Sequence, residues 1–263
     1  MSEIKEQLEI FLEYEKQPKY VPIRHECKNG RWYECQGQWK PSVTTFLNVL
    51  YKGIGFDIWL GNAVSYKDAM DYANERADLG SRIHTDIACL VRGYDIEIKE
   101  RAEEEIKRLY EFIQFYKQKE PEIIQVEVPL WHPDIPFAGT ADMIAGIDNE
   151  VYLLDWKTGE LYDSHVYQIS AYKYLIEKCL DIIIDKMALV KLGEYRGNEI
   201  PKIDDKPKYH FKEIEPVEYR ILENIFELWA LQNKNPEPIL EAEYPASIRL
   251  IEIQEEENAN DQS

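Results

Sequence analysis

Two carboxylates and a lysine lie on two strand-like segments near the middle of the 263-residue chain. Residues 139–144 read G-T-A-D-M-I, and residues 153–159 read L-L-D-W-K-T-G. Because side chains alternate between the two faces of a strand, Asp155 and Lys157 point to the same side. A short turn joins the segments, so we expect them to be neighbours that bring Asp142 close to this pair at the end of a sheet.

A pair of neighbouring carboxylates indicates a site for a hard divalent cation. Burial of Asp142 beside Asp155 is costly unless a cation or a proton compensates the charge. Oxygen ligands of this kind suit Mg²⁺ or Mn²⁺, and a nearby lysine can hold or deprotonate a water and offset phosphate charge. The simpler alternative is a salt bridge between Asp155 and Lys157 with Asp142 in solvent, and the residues alone leave both interpretations open.

The second part of the chain must supply the elements that position these residues. Apolar periodicity and β-branched alternation predict a helix over 97–119, strands over 123–130, 137–147 and 151–156, a helix over 164–180, strands over 186–192 and 209–214, and a helix over 216–232. The order α-β-β-β-α-β predicts an α/β fold with a mixed central sheet flanked by helices.

The first part of the chain is predicted to be mainly helical. The pattern predicts a helix over 3–16, a hairpin over 20–35, a helix over 43–51 with Ser42 as its N-cap, an aromatic connection over 52–62, and a helix over 66–92 with a break near Gly80. The Asn29-Gly30 turn would place Cys27 opposite Trp32. We expect a single domain over 1–251, with a hairpin and helical lobe over 1–96, an α/β core over 97–251 and an acidic disordered tail over 252–263.

The charge balance restricts the partners of the chain. Lys and Arg number 31 against 50 Asp and Glu, and the net charge of −19 excludes a general polyanion binder. Two segments, 19–40 and 186–212, are each net positive by three charges. If the chain handles nucleic acid, we expect phosphate contacts from these segments and from a bound cation, with Lys202, Lys206 and Lys208 as candidates.

Composition also limits the compartment and the class of protein. No apolar run approaches the ~18–20 residues of a membrane-spanning helix, and the polar N-terminus resembles neither a signal nor a transit peptide. The four cysteines form no C-x-x-C pair, which disfavours a zinc ribbon. We therefore expect a cytoplasmic protein with reduced cysteines and no membrane contact.

The motifs together resemble those of the PD-(D/E)XK nuclease superfamily, in its RecB-like and phage-type exonuclease branch. The resemblance rests on the two segments above, on the Q-x-x-x-Y pattern of Gln168 and Tyr172, and on the G-x-x-x-H pattern that ends at His84. Glu127, in the run V-E-V-P, occupies the place of a further acid, and the run P-S-V-T at 41–44 is a weaker match. The matching motifs cover roughly residues 80–172 in the family's order.

The resemblance implies a restriction-endonuclease-like core and a role for each matching residue. Asp142 and Asp155 would hold one or two Mg²⁺ or Mn²⁺ ions, with the His84 imidazole and the Trp156 carbonyl as further ligands. Lys157 would orient the attacking water, and hydrolysis would leave 5′-phosphate and 3′-hydroxyl ends. Glu127 would be a further catalytic acid, and Thr158 would contact DNA. Gln168 and Tyr172 would contact the DNA backbone or brace the site.

Each of these residues also has an ordinary structural interpretation. His84 could be a core or surface histidine, Glu127 could lie on a solvated strand face, and Gln168 and Tyr172 could be helix surface and core. Some relatives bind an iron–sulfur cluster, but no cysteine follows Cys179, so we predict no cluster. No Walker A motif is present, so a helicase motor would have to be another chain.

The sequence thus favours a divalent-metal-dependent DNA nuclease. We expect an exonuclease in recombination, repair or phage DNA processing, acting on single strands or duplex ends, with a recombination or single-strand-binding protein as a possible partner. The alternative is a catalytically inactive nucleic-acid-binding or assembly module on the same fold, and a third interpretation is an acidic α/β protein with surface carboxylates only. The oligomeric state is open.

Overall fold

The computed structural model describes residues 21–234 and 236–240. The predicted helix over 3–16 and the acidic tail over 252–263 lie outside them, and the limits of the predicted domain stay a prediction. In chain order the elements are β1 (Ile23–Cys27), β2 (Gly30–Cys35), β3 (Gln38–Pro41), α1 (Val43–Leu47), α2 (Ile54–Asn62), α3 (Tyr66–Val91), α4 (Glu103–Lys119), β4 (Glu122–Leu130), β5 (Gly139–Ile147), β6 (Glu150–Lys157), α5 (Asp163–Leu180), β7 (Lys186–Lys191), β8 (His210–Ile214) and α6 (Tyr219–Gln232).

A five-stranded mixed sheet forms the centre of the fold. Its strand order is β4-β5-β6-β7-β8, and only the pair β6 and β7 is parallel. Helix α5 is the crossover between these two strands, as a parallel connection requires. The predicted α/β class and the order α-β-β-β-α-β are therefore confirmed, in elements α4 to β7.

Alternate residues of the central strands supply two separate cores. On β5, Ile144 packs with Leu153 of β6 into the core that contains α1, α5 and α6. Met143 and Leu154, one position away on each strand, pack into the core beneath α3 and α4. The sheet is thus buried on both faces, which explains why its central strands are almost wholly apolar.

A second sheet of β1, β2 and β3 packs beside the central sheet and contributes Trp32 to the first of these cores. The predicted hairpin is present, but its register is wrong by two residues. Cys27 faces Gly30, and His25 faces Trp32, because the turn residues are Lys28 and Asn29. Gly30 takes a φ of +114°, so it follows the turn as the residue that permits a left-handed backbone.

Five elements outside the central sheet differ from their predicted form. Helix α1 has only five residues, and the predicted aromatic connection contains α2. Helix α3 runs unbroken through Gly80, where a Cβ atom would lie 3.2 Å from Thr158 Oγ1. The glycine therefore lets the helix pass close to Thr158 at the end of β6, and it does not end the helix. Helix α4 begins six residues later than predicted, and β3 was not predicted at all.

Among the described residues, none of the helices has both the length and the apolar character needed to cross a membrane.

Lys40 fastens the loop that leads into β5. It is 7% exposed, and its Nζ donates hydrogen bonds to the carbonyl oxygens of His132 (2.5 Å), Pro133 (3.0 Å) and Ile135 (2.6 Å). The same ammonium lies 4.1 Å from the ring centroid of Trp131. One side chain therefore satisfies three backbone acceptors of this loop.

We predict that Lys40→Met lowers the free energy of unfolding by about 2 kcal/mol or more, because it leaves these carbonyl oxygens unpaired. Urea denaturation measures the change. Lys28→Met, at an exposed turn of the same small sheet, is the matched control and should change the free energy of unfolding by less than about 0.5 kcal/mol. Equal urea midpoints for the two variants would contradict the role assigned to Lys40.

Candidate active site

The predicted carboxylate pair lies where β5 and β6 separate. The backbone ladder between the two strands ends at the pair Met143 and Leu154. One residue further, Asp142 Oδ2 accepts a hydrogen bond of 2.8 Å from the backbone N–H of Trp156. The carboxylate thus replaces a strand partner, and the gap between the strands opens next to it.

His84 of α3 bridges Asp142 and the backbone of β6. Its Nδ1 lies 3.2 Å from Asp142 Oδ1, and its Nε2 lies 3.1 Å from the Trp156 carbonyl oxygen. Both neighbours are acceptors, so the neutral imidazole can donate to one of them, and the tautomer decides which. Burial would lower the pKa of His84, but the charge and hydrogen bond of Asp142 outweigh it and raise the pKa. Burial likewise acts to raise the pKa of Asp142, and His84 holds it below its ordinary value.

Glu127 comes from the neighbouring strand β4. The pairs Val126–Met143 and Val128–Ala141 place it opposite Asp142. Its φ of +55° lies in the left-handed region, which costs a residue with a side chain about 1–3 kcal/mol. Burial and the charge of Asp142 raise the pKa of Glu127 to about 7. Such strain and electrostatic cost are typical of a functional position.

His84, Glu127 and Asp142 form a group that could hold a metal ion. One ligand atom from each residue lies within 4.8 Å of the others. Glu127 is half-buried beside two other candidate ligands and does not lie on a solvated strand face.

Asp155 and Lys157 form a second, adjacent part of the site. Asp155 is 1% exposed, and burial raises its pKa to about 6. Lys157 Nζ forms an ion pair with Asp155 Oδ2 and donates a hydrogen bond of 3.1 Å to Gln168 Oε1. Lys157 is thus the charged partner of Asp155 Oδ2 in this buried position. The predicted simple salt bridge is present, but it is buried and lies beside Asp142 instead of being alone.

Helix α5 holds this pair from the side. Gln168 Nε2 lies 3.4 Å from Asp155 Oδ1 and 3.3 Å from the Tyr172 hydroxyl oxygen. Gln168 and Tyr172 are four residues apart and therefore share a helix face. Gln168 of the Q-x-x-x-Y pattern thus contacts the carboxylate directly, and Tyr172 contacts Gln168, so neither residue is ordinary helix surface.

Thr158 lies at the end of β6, between two helices. Its carbonyl oxygen accepts a hydrogen bond of 3.3 Å from Arg108 Nη2 of α4, and its hydroxyl faces Gly80 of α3. By contrast, the candidates Lys202, Lys206 and Lys208 lie in the β7–β8 connection, and none has a hydrogen bond or ion pair to the carboxylate site. The structure therefore brings the residues of the sequence motifs together at one site and leaves the three lysines outside that site.

Sequence reasoning missed the contribution of the N-terminal hairpin. The Tyr33 hydroxyl lies 2.9 Å from Thr140 Oγ1, across 107 residues of sequence. Arg24 of β1 and Arg92 after α3 are positive neighbours that act to lower the pKa of Glu127. No spacing or motif links these residues to the site, although the net positive charge of 19–40 was a weak signal for the hairpin.

The donor set fits a hard divalent cation. Three buried or half-buried carboxylates converge on one imidazole and one ammonium, and burial opposes ionisation of all three acids. Carboxylate and carbonyl oxygens with a single imidazole suit Mg²⁺ or Mn²⁺ better than a sulfur-preferring metal. The candidate holders are Glu127, Asp142, Asp155, His84 and the Trp156 carbonyl.

The solved structures that match the chain include two distant ones. No family model matches the chain, and no curated protein is similar to it. One matching solved structure is that of SSO0001, with 18% identity, 50% of this chain and 60% of that chain covered, and a TM-score of 0.30. Another is an alkaline exonuclease (LHK-Exo) from Laribacter hongkongensis, with 11% identity, 84% and 94% covered, and a TM-score of 0.38. Likenesses this weak carry no argument about activity.

Gly139, the first residue of the G-T-A-D run, makes room for Tyr172. A Cβ atom at this position would lie 2.6 Å from Tyr172 Cε1 and 3.4 Å from Val43 Cγ2. We predict that Gly139→Ala displaces the tyrosine ring and lowers the free energy of unfolding by about 1–3 kcal/mol, because the surrounding core is closed. Chemical denaturation measures this loss.

Gly55→Ala is the matched control for this prediction. Gly55 lies in helix α2, and a Cβ atom there would meet no neighbouring atom within 4 Å, so alanine should be neutral or stabilising by up to about 1 kcal/mol. A Gly139→Ala protein as stable as the Gly55→Ala protein would show that Tyr172 does not depend on the missing side chain.

Proposed function

We propose that the chain is a divalent-metal-dependent nuclease that hydrolyses DNA phosphodiester bonds. The observation that carries the proposal is the convergence of His84, Glu127 and Asp142 within 4.8 Å, beside the buried pair of Asp155 and Lys157. Paired carboxylates, an imidazole and a lysine in contact are a donor set for a cation and a water at one phosphate.

In this proposal the acids, His84 and the Trp156 carbonyl hold the cation. When bound, the cation supplies Lewis-acid stabilisation of the negative charge that develops on the phosphate. The protein supplies a fixed arrangement, because Asp142 takes its position from the Trp156 N–H and His84 from the Trp156 carbonyl. Preorganised groups of this kind need little rearrangement during the reaction.

Lys157 is proposed to hold the attacking water. An ammonium has three N–H donors, and Asp155 and Gln168 account for two partners. The third donor is available to a water beside the carboxylates. Hydrolysis would then leave a 5′-phosphate and a 3′-hydroxyl end, as the motif resemblance implies.

The remaining assignments rest on the motifs and stay proposals. We propose that Gln168, Tyr172 and Thr158 position the DNA backbone, and that the reaction is exonucleolytic, in recombination, repair or phage DNA processing. A recombination or single-strand-binding protein is the proposed partner. None of the four cysteines forms a disulfide, and we propose a reducing compartment such as the cytoplasm.

Replacement of the three central residues tests the activity. We predict that Asp142→Asn, Asp155→Asn and Lys157→Met each lower DNA cleavage in Mn²⁺ by at least about 100-fold, since each removes a group held at the reacting phosphate. The assay follows end-labelled and circular DNA, single-stranded and duplex, with EDTA as the metal-free arm. Asp95→Asn, at an exposed position, is the control and should cleave like the unaltered protein.

Two results would contradict the proposal. Cleavage at the original rate in the three variants would place the reaction elsewhere. Retention of DNA without cleavage in Mg²⁺, Mn²⁺ and EDTA alike would favour the inactive binding module instead.

Metal binding is tested without activity, by thermal unfolding. We predict that Mn²⁺ at one hundred times its dissociation constant stabilises the protein by about 2.7 kcal/mol and raises the Tm by about 5–10 °C. Asp142→Asn should lose most of this increase and Asp95→Asn should keep it. An equal increase in both variants would show that the bound ion lies outside the proposed site.

A further inference from the structure

A cleft lies along the outer edge of the central sheet, apart from the carboxylates. It has a volume of about 940 Å³, and the side chains that matter here are Lys119, Tyr195, Arg196, Lys206, Lys208 and Phe211. We call it the basic cleft. Its walls are the end of α4, strand β8 and the long connection between β7 and β8.

Three polar side chains of α4 hold that connection in place. Glu111 is fully buried and accepts hydrogen bonds from the backbone N–H groups of residues 193, 194 and 195. Gln114, also fully buried, donates to the carbonyl oxygens of Lys202 and Asp205 and accepts from the Lys208 N–H. Gln118, which is half-buried, donates to the carbonyl oxygens of residues 203 and 205.

Burial of these polar side chains costs free energy, so the fixed conformation of the loop requires an explanation. Burial raises the pKa of Glu111, and a buried polar group is stabilising only when its partners are held in place. A connection that merely joined two strands could be short and exposed. The row of Glu111, Gln114 and Gln118 instead imposes one conformation on a long loop, which preorganises the cations that it carries.

The cations of the basic cleft are unpaired, in a protein with a net charge of −19. Lys119, Arg196, Lys206 and Lys208 have no carboxylate of the described residues within 4.0 Å, whereas Lys107, Lys173 and Lys191 each form an ion pair. Arg196 Nη1 donates to the carbonyl oxygens of Gly193 and Tyr195, which holds the guanidinium at the cleft. One carboxylate, Glu194, also lines the cleft, but it is paired with Lys191. Four cations that form no ion pair against this single acid indicate an anionic ligand.

Aromatic rings lie among these cations. Tyr195 and Phe211 are both partly exposed, and Lys119 Nζ lies 4.7 Å from the Phe211 ring centroid. Rings interleaved with phosphate-binding cations are the usual means of binding single strands without sequence preference, with about 1–3 kcal/mol per stacked base. An acidic peptide would use the cations but would gain little from the rings.

The cleft also shares an end of the sheet with the candidate active site. Lys157 pairs with Lys191, and Lys191 pairs with His210, which lines the cleft. Two strand spacings separate Lys157 from His210, or roughly 10 Å. A nucleic-acid strand of a few nucleotides could therefore reach from one site to the other.

We propose that the basic cleft is a binding site for single-stranded nucleic acid, in which the four cations hold phosphates and Tyr195 and Phe211 stack against bases. The proposal rests on the proposed function, since it supplies the strand that the carboxylate site would cut. It adds a second contact region, which would hold the substrate beside the site between cleavage events.

The test measures binding without cleavage. Fluorescence anisotropy follows a labelled 12-nucleotide oligothymidylate in EDTA over a series of NaCl concentrations, with the Lys119→Gln/Arg196→Gln double variant. We expect the association constant to fall at least tenfold, and the slope of its logarithm against log salt to decrease by about 1.4, since each single-strand phosphate contact contributes about 0.7. The Lys67→Gln/Lys99→Gln variant makes the same change in net charge at two exposed positions and should bind like the unaltered protein.

A second variant, Lys206→Gln/Lys208→Gln, repeats the test on the other wall if the first does not fold. Equal affinities in cleft and control variants would overturn the proposal even if the protein cleaves DNA. Loss of binding in the cleft variants would support it even if no cleavage were observed, so the two proposals fail separately. Displacement of the oligonucleotide by a polyglutamate peptide of the same charge, at equal concentration, would also overturn it, in favour of an acidic peptide.

Discussion

The hydrogen bond from the Trp156 N–H to the Asp142 carboxylate is the interaction on which the candidate site depends. It takes the place of the next ladder contact between β5 and β6, so the two strands stay joined while they separate. The same residue presents its carbonyl oxygen to His84, which fixes α3 against the end of the sheet. The indole ring of Trp156 packs between Phe112 and Phe115 of α4, so the core beneath the sheet holds this backbone in position.

The second constraint is electrostatic. The site concentrates acidic groups at a half-buried position in a chain that is already strongly acidic, and burial raises the pKa of both Glu127 and Asp155. His84 and Lys157 compensate part of this charge, and the proposed cation would compensate the rest. The left-handed backbone of Glu127 adds a conformational cost at the same position.

The positive charge of the protein is distributed by folding and not by local sequence. Within the net-positive stretch 186–212, Lys191 is neutralised by Glu160 and Glu194, whereas Lys206 and Lys208 line the basic cleft. Lys202 contributes to the β7–β8 connection mainly through its backbone. Its N–H donates a hydrogen bond to the Asp205 carboxylate, and its carbonyl oxygen accepts one from Gln114. Lys119 joins the cleft from a helix more than eighty residues earlier, so a charge count along the chain identifies the region but not the site.

The sequence by itself determined the strands of the central sheet, the pairing of Asp155 with Lys157 and the shared helix face of Gln168 and Tyr172. These features follow from periods of two and about four residues, which are local properties of strands and helices. Only the tertiary structure decided the register of the first hairpin, the continuity of α3 through Gly80, the left-handed backbone of Glu127 and the contact between Tyr33 and Thr140. Each of these depends on atoms far away in the chain, because packing against a distant neighbour can outweigh a weak local preference.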